Sequence, residues 1–227
     1  RAEYADDATD AQRTFKVLRQ ATRSLAGERP TRAAATLPTV RPPLPGVRYV
    51  IAVAANKGGV GKSTVAVNLA LALQVAGARV GLLDADLTGP SVPIMLGIEA
   101  GSQAATGLGI VERHGLQVLS IGTVLPEGSA VIWRGPMMGK AVGQMIGEHA
   151  WGYPGPDGRL EPLDYLVVDL PPGTSDVSIS MSQAVPIAGV VMVTTPSGVA
   201  VEDVKKAFAM FKRLGIPVLG VLENMKY

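Results

Sequence analysis

The sequence predicts a doubly wound α/β domain with a mostly parallel sheet and helices on both faces. Three observations carry this reading. Short apolar runs lack polar alternation, helical segments with one apolar stripe fall between them, and a glycine-rich turn follows the first run. The chain has 227 residues, 47% of them hydrophobic, which is enough for one sizeable core.

Residues 1–46 precede that pattern and read as a basic, Pro-rich arm or linker, with residues 47–227 as the folded domain. Within the arm, residues 14–25 suit one short amphipathic helix, and Pro30 to Gly46 holds five prolines, as an extended linker does. The first run is Tyr49–Ala55. It is followed by the turn and by a helix over Ser63–Ala76, which Gly77 is placed to end. Further strands are expected at Arg79–Asp84, Leu116–Gly122, Tyr165–Leu170, Gly189–Thr195 and Pro217–Glu223. A second long helix is expected over Val201–Leu214. It carries Val201, Val204, Phe208 and Phe211 on one stripe, Lys205, Lys206, Lys212 and Arg213 opposite, and a stop at Gly215. The stretch from Tyr153 to Gly158 reads as an exposed loop, part of an insertion over Tyr153–Leu163.

Charge is balanced overall but uneven along the chain. Residues 1–10 net −3, residues 11–48 net +7 and residues 49–227 net −2. The body therefore has no basic excess for a polyanion, which argues against a nucleic-acid partner. No apolar run approaches the roughly 20 residues of a membrane span. The Arg-rich arm has the look of an organellar transit sequence, although Asp6, Asp7 and Asp10 run against it. A cytoplasmic location is the reading, with the mitochondrial matrix as the alternative. There is no cysteine, so the chain has no disulfide and no thiolate ligand for iron.

The strongest local signal is Asn56-Lys-Gly-Gly-Val-Gly-Lys-Ser-Thr64, set between an apolar strand and a helix as a P-loop requires. Gly58, Gly59 and Gly61, with Val60 between them, are expected to turn backbone N–H groups around a phosphate, where Cβ atoms would clash. Lys62 supplies a charge to the β- and γ-phosphates, Ser63 a hydroxyl for Mg²⁺, and the helix its positive end. Thr64 completes the phosphate-binding run. Two strands close on acids at the same sheet edge: one in Asp84-Ala-Asp86, the other in Asp169-Leu-Pro-Pro-Gly173. A lone acid there would be read as a turn cap, but two beside a P-loop suit nucleotide chemistry. His114 and His149 have no partners at ligand spacing and read as surface or capping residues. Met137, Met138 and Met145 read as packing.

With lysine at its front, Lys57-Gly-Gly-Val-Gly-Lys-Ser63 resembles the deviant Walker A group that includes MinD, ParA, nitrogenase iron protein and the Mrp/ApbC proteins. The resemblance implies a MinD-like (SIMIBI) P-loop fold, Mg-dependent ATP hydrolysis and a homodimer in which Lys57 reaches the partner's nucleotide. It implies that Asp169 and Asp84 serve the Mg²⁺ ion, the latter through its water shell. It further implies that Asp86 orients or deprotonates the attacking water and that the Gly173 N–H senses the γ-phosphate. Asp176 is left open between a switch residue and a helix cap.

Four segments narrow the resemblance: Asp84-Ala-Asp…Gly89-Pro-Ser91, Trp133-Arg-Gly-Pro136, Asp164 to Thr174, and Glu223-Asn-Met225. Together they resemble the Mrp/ApbC/Nbp-type iron–sulfur cluster carriers, from about Val47 onward. That family implies adenine contact by Asn224 and a 4Fe-4S cluster held across the dimer by a Cys-x-x-Cys pair following Glu-Asn-Met. Its partners are a cluster scaffold and apo recipient proteins. Those cysteine ligands are not in this chain, and Tyr227 lies where the segment would begin; a longer natural chain is the expectation. The alternative is a positioning ATPase of the ParA/MinD kind acting on DNA or membrane.

Overall fold

A computed structural model describes residues 44–86, 89, 91–99, 109–120, 142–144, 146–147, 150–173, 179–180, 182 and 185–225. Trp133, Arg134, Met137, Met138, Met145, His149, Asp176 and nearly all of the arm at 1–46 lie outside them. Every described residue belongs to one compact unit, Arg41–Tyr227.

Seven strands form one sheet. In chain order they are β1 (Val47–Ala54), β2 (Val80–Asp84), β3 (Val111–Arg113), β4 (Leu116–Ser120), β7 (Leu163–Asp169), β8 (Ile187–Thr194) and β9 (Val218–Glu223). A separate hairpin supplies β5 (Tyr153–Pro154) and β6 (Leu160–Glu161). The sheet order is β3-β4-β2-β7-β1-β8-β9, parallel throughout except for β3 against β4. This is the doubly wound architecture. From β1 the chain moves outward to β2 and β4, returns to insert β7 beside β1, then crosses to β8 on the other side. That reversal opens a crevice beyond the carboxyl ends of β1 and β7.

The inner strands are buried on both faces, which explains their unbroken Val/Ile/Leu/Ala runs. On one face Ala52, Ala54, Leu83, Leu119, Leu166, Val168 and Met192 share a continuous core with Trp151 and with Ala207 and Phe211 of helix α3 (Gly198–Arg213). Their strand neighbours Val53, Leu82 and Val167 are equally buried and, by alternation, face the other way. Helix α1 (Lys62–Val75) follows the glycine-rich turn, and a short helix α2 (Val92–Leu96) follows β2.

Both long helices end as their glycines foretell. Beyond α1, Gly77 at φ +91° donates to the Gln74 carbonyl and Ala78 to Leu73; beyond α3, Gly215 at φ +69° donates to Lys212 and Ile216 to Phe211. Each is a Schellman motif, closing carbonyls the helix leaves unpaired. Two expectations need correction. Phe208 is 45% exposed, and the buried stripe of α3 runs through Ala207 and Phe211 with Val204, Met210 and Leu214 beside them. The stretch after Tyr153 is not a plain loop but a hairpin. It is tied to the sheet by two hydrogen bonds between the Gln117 side chain and Gly152 and by Tyr153 Oη to Gly115. His114 is the capping residue expected of it, with Nε2 3.3 Å from the Leu96 carbonyl that ends α2.

Candidate nucleotide site

Strand register assembles the site. Val53 pairs with Asp169, Asp169 with Asp84, and Asp84 with Ser120, in a row across β1, β7, β2 and β4 at their carboxyl ends. Residues side by side in parallel strands project to the same face. Two carboxyls and a hydroxyl therefore converge, all at most 1% exposed, below the loop that joins β1 to α1.

That loop turns on two glycines. Gly59 (φ +77°) and Gly61 (φ +86°) lie in the left-handed region, where a side chain is strained. At Gly61 a Cβ would also meet Asn224 Nδ2 at 2.3 Å. Gly58 has neither constraint, and a Cβ there would meet no protein atom within 4 Å. Val60 is buried, and its carbonyl accepts a hydrogen bond from Asn224 Nδ2 at 2.9 Å. The end of β9 is thus tied to the loop, and the Asn224 amide lies against it. Ser63 and Thr64 open α1 half-buried, and Lys57 is exposed at the front of the loop.

Lys62 is only 7% exposed, and its charge is met within the protein. Its Nζ donates to Asp169 Oδ1 at 2.6 Å, stands 3.8 Å from Asp86 Oδ2 and 3.3 Å from Ser63 Oγ. A buried ammonium without such partners would cost several kcal/mol. Burial pushes the Asp169 carboxyl up from its ordinary value, while the Lys62 charge pulls it back. Its Oδ2 is buried and makes no hydrogen bond of ordinary length among the described residues. A spare buried acceptor beside a lysine and a serine hydroxyl fits a divalent cation and its water. No group of three or more His, Cys, Asp or Glu among the described residues forms a metal cage. An ion here would depend on Ser63, Asp169 and the phosphates of a nucleotide, as Mg²⁺ does.

Asp84 is placed differently. Its Oδ1 accepts the Asp86 N–H at 3.1 Å, and its Oδ2 accepts the Val92 N–H at 3.2 Å and the Ser120 hydroxyl at 3.3 Å. Burial first, then the nearby Asp169 charge, raise its pKa to about 7, against the pull of those two backbone N–H groups and of Lys62. Gly173, at φ +92°, donates its N–H to the Ala55 carbonyl at 2.8 Å. The structure thus gathers Lys62, Ser63, Asp84, Asp86 and Asp169 at one point. Gly173 and Asn224 lie on the backbone of the loop itself. Ser120 is the member that sequence reasoning missed; its only signal is a polar residue closing an apolar strand.

Comparison with known proteins agrees with this geometry. Residues 46–227 match the family model for ParA, described as NUBPL iron-transfer P-loop NTPase. An iron–sulfur cluster carrier protein of Aquifex aeolicus is 51% identical over 192 residues, covering 82% of this chain and 50% of its own. The iron–sulfur cluster carrier protein of Escherichia coli K12 is 48% identical over 196 residues, covering 84% and 51%. The chain spans about half the length of these curated relatives. A nucleotide-binding protein of Archaeoglobus fulgidus, solved in complex with ADP, is 36% identical with a TM-score of 0.63, covering 79% of this chain and 68% of that one. The cell-division ATPase MinD of Pyrococcus furiosus shares the fold at 21% identity, with a TM-score of 0.54 over 77% of this chain and 71% of that one.

Proposed function

The chain belongs to the NUBPL-type iron-transfer P-loop NTPases, and from that premise we propose that it is the ATPase engine of a homodimeric iron–sulfur cluster carrier. The observation that carries the nucleotide half is the buried Lys62, held 2.6 Å from Asp169 and 3.8 Å from Asp86 behind a left-handed glycine turn. An ATP triphosphate laid along the loop replaces these carboxylates as the partner of Lys62. Phosphates also meet the amino end of α1 there. Mg²⁺ held by Ser63 and Asp169 would neutralise charge on the β- and γ-phosphates. Asp86 then orients the attacking water and takes its proton. Lys57, exposed at the front of the loop, faces the nucleotide of a second copy and meets charge developing on the transferred group, as an arginine finger does.

Residues 47–227 form this ATPase domain. The cargo half rests on relatives that are named carriers and are about twice as long. The cluster is the cargo, its thiolate ligands come from sequence outside these 227 residues, and recipients are apo iron–sulfur proteins.

The two halves are tested separately. Asp86→Ala is expected to leave ATP affinity within about twofold and to lower kcat by at least about 100-fold, within the usual range for losing a general base. Hydrolysis at the parental rate would remove Asp86 from its role. In the natural protein, iron and sulfide should co-purify and move to an apo recipient; a natural chain that has no cysteine pair and holds no iron would sink the carrier reading. Salt-sensitive retention of residues 47–227 on DNA would favour a ParA-like positioning role instead.

A further inference from the structure

Asp86 enters the site from a segment fastened to one carboxylate at both ends. Asp84 accepts the Asp86 N–H through Oδ1 and the N–H of Val92, the first residue of α2, through Oδ2. The Ser120 hydroxyl donates to that same Oδ2 from the adjoining strand β4. Three donors thus take three of the roughly four acceptor positions a carboxylate offers. The opposite end of α2 is fastened as well. The Leu96 carbonyl accepts Arg113 Nε at 3.1 Å and lies 3.3 Å from His114 Nε2, the one closing β3 and the other opening the tight turn to β4. His114 adopts φ +51°, unusual for a residue other than glycine, in making this contact. Helix α2 is therefore held at its start by Asp84 of β2, which Ser120 of β4 braces, and at its end by Arg113 and His114.

We propose that Asp84, Ser120 and Arg113 are positioning residues for hydrolysis, forming a frame that sets Asp86 at a fixed height above Lys62 and Asp169. This inference rests on the assignment of Asp86 to the attacking water. Backbone donors locked onto a buried carboxylate resist displacement, because each N–H released there would give up a buried acceptor. A general base displaced by an ångström loses much of its effect. The frame therefore acts on turnover and not on nucleotide affinity. It also separates Asp84 from an acid of the cation's water shell, whose loss would be read in the Mg²⁺ dependence.

The test uses the full chain with Ser120→Ala, Arg113→Gln, Arg113→Lys and, as control, Asp86→Ala. It measures kcat, KM for ATP, half-saturating Mg²⁺ and binding of a fluorescent ATP analogue as a check on folding. Ser120→Ala and Arg113→Gln are each expected to lower kcat on the order of 3- to 10-fold, the range of coupling through packed networks. KM and half-saturating Mg²⁺ should stay within about twofold, and Arg113→Lys, which keeps a donor, should recover part of the loss. Parental kcat in both Ser120→Ala and Arg113→Gln, with Asp86→Ala inactive, overturns the frame alone. A shift in half-saturating Mg²⁺ without a fall in maximal rate also overturns it and assigns Asp84 and Ser120 to the cation. Full hydrolysis by Asp86→Ala overturns the frame together with the reading beneath it.

Discussion

Lys62 and Gly61 show how much of this site is decided by single residues. A lysine side chain in a nearly closed site must find negative charge, and Asp169 and Asp86 provide it at 2.6 and 3.8 Å. The same lysine is thereby held ready for phosphate, which makes the stronger claim on it by carrying more charge. Gly61 makes the approach possible twice over, by a backbone angle costing a side chain about 1–2 kcal/mol and by leaving room for the Asn224 amide. Gly61→Ala is expected to weaken ATP binding by at least about 10-fold, since a strain of that size in the nucleotide-binding loop is a tenfold effect. Pairing it with Asn224→Gly should restore little, because the angle remains; equilibrium titration of both variants checks this. Lys62, Ser63 and the strand-end acids were legible in the sequence because their spacing is a chemical requirement. Ser120 was not, because a serine ending a strand has no distinctive pattern until the register places it beside Asp84.

At the level of elements, legibility followed length and periodicity. The six long strands and both long helices lie where the apolar runs and terminal glycines put them, within a few residues. The three-residue β3 and the five-residue α2 are too short to carry a period, and tertiary contacts hold them: pairing with β4 for one, capping at both ends for the other. The stripe on α3 was misjudged because Phe208 and Ala207 are adjacent, and hydrophobicity favours the wrong one. Geometry buries the small alanine close against the sheet and leaves the phenylalanine at the margin. The anchor is Phe211, 1% exposed and bound into the Schellman turn through its carbonyl. Phe211→Ala should cost about 3–5 kcal/mol in urea unfolding, the usual range for emptying an aromatic core position. Phe208→Ala should cost well under half of that; equal losses would contradict the packing described here.

For the molecule as a whole, the sheet order brings P-loop, carboxylates and Asn224 to one edge, while Lys57 stays exposed. Among the described residues no helix is long and apolar enough to cross a membrane. Lys62 has acids of its own, and under the proposed function Lys57 takes its counter-charge from the nucleotide of a second copy. Lys57→Ala should therefore abolish the ATP-dependent shift to dimer in sedimentation velocity while leaving ATP affinity within about threefold, since only the contact across the interface is removed. A dimer shift equal to the parent's would place Lys57 in solvent.

The sequence by itself determined the fold class, the phosphate loop and the pair of strand-end acids, because each follows from local requirements: apolar strands covered on both faces, left-handed glycines, and a lysine and a hydroxyl at set spacing. Only the tertiary structure decided that Asp84 serves the protein's own N–H groups, that Asn224 ties β9 to the loop, and that Arg113 and His114 hold α2. Those contacts join residues whose proximity comes from strand order and register. Such proximity is a property of the whole sheet, and no stretch of chain contains it.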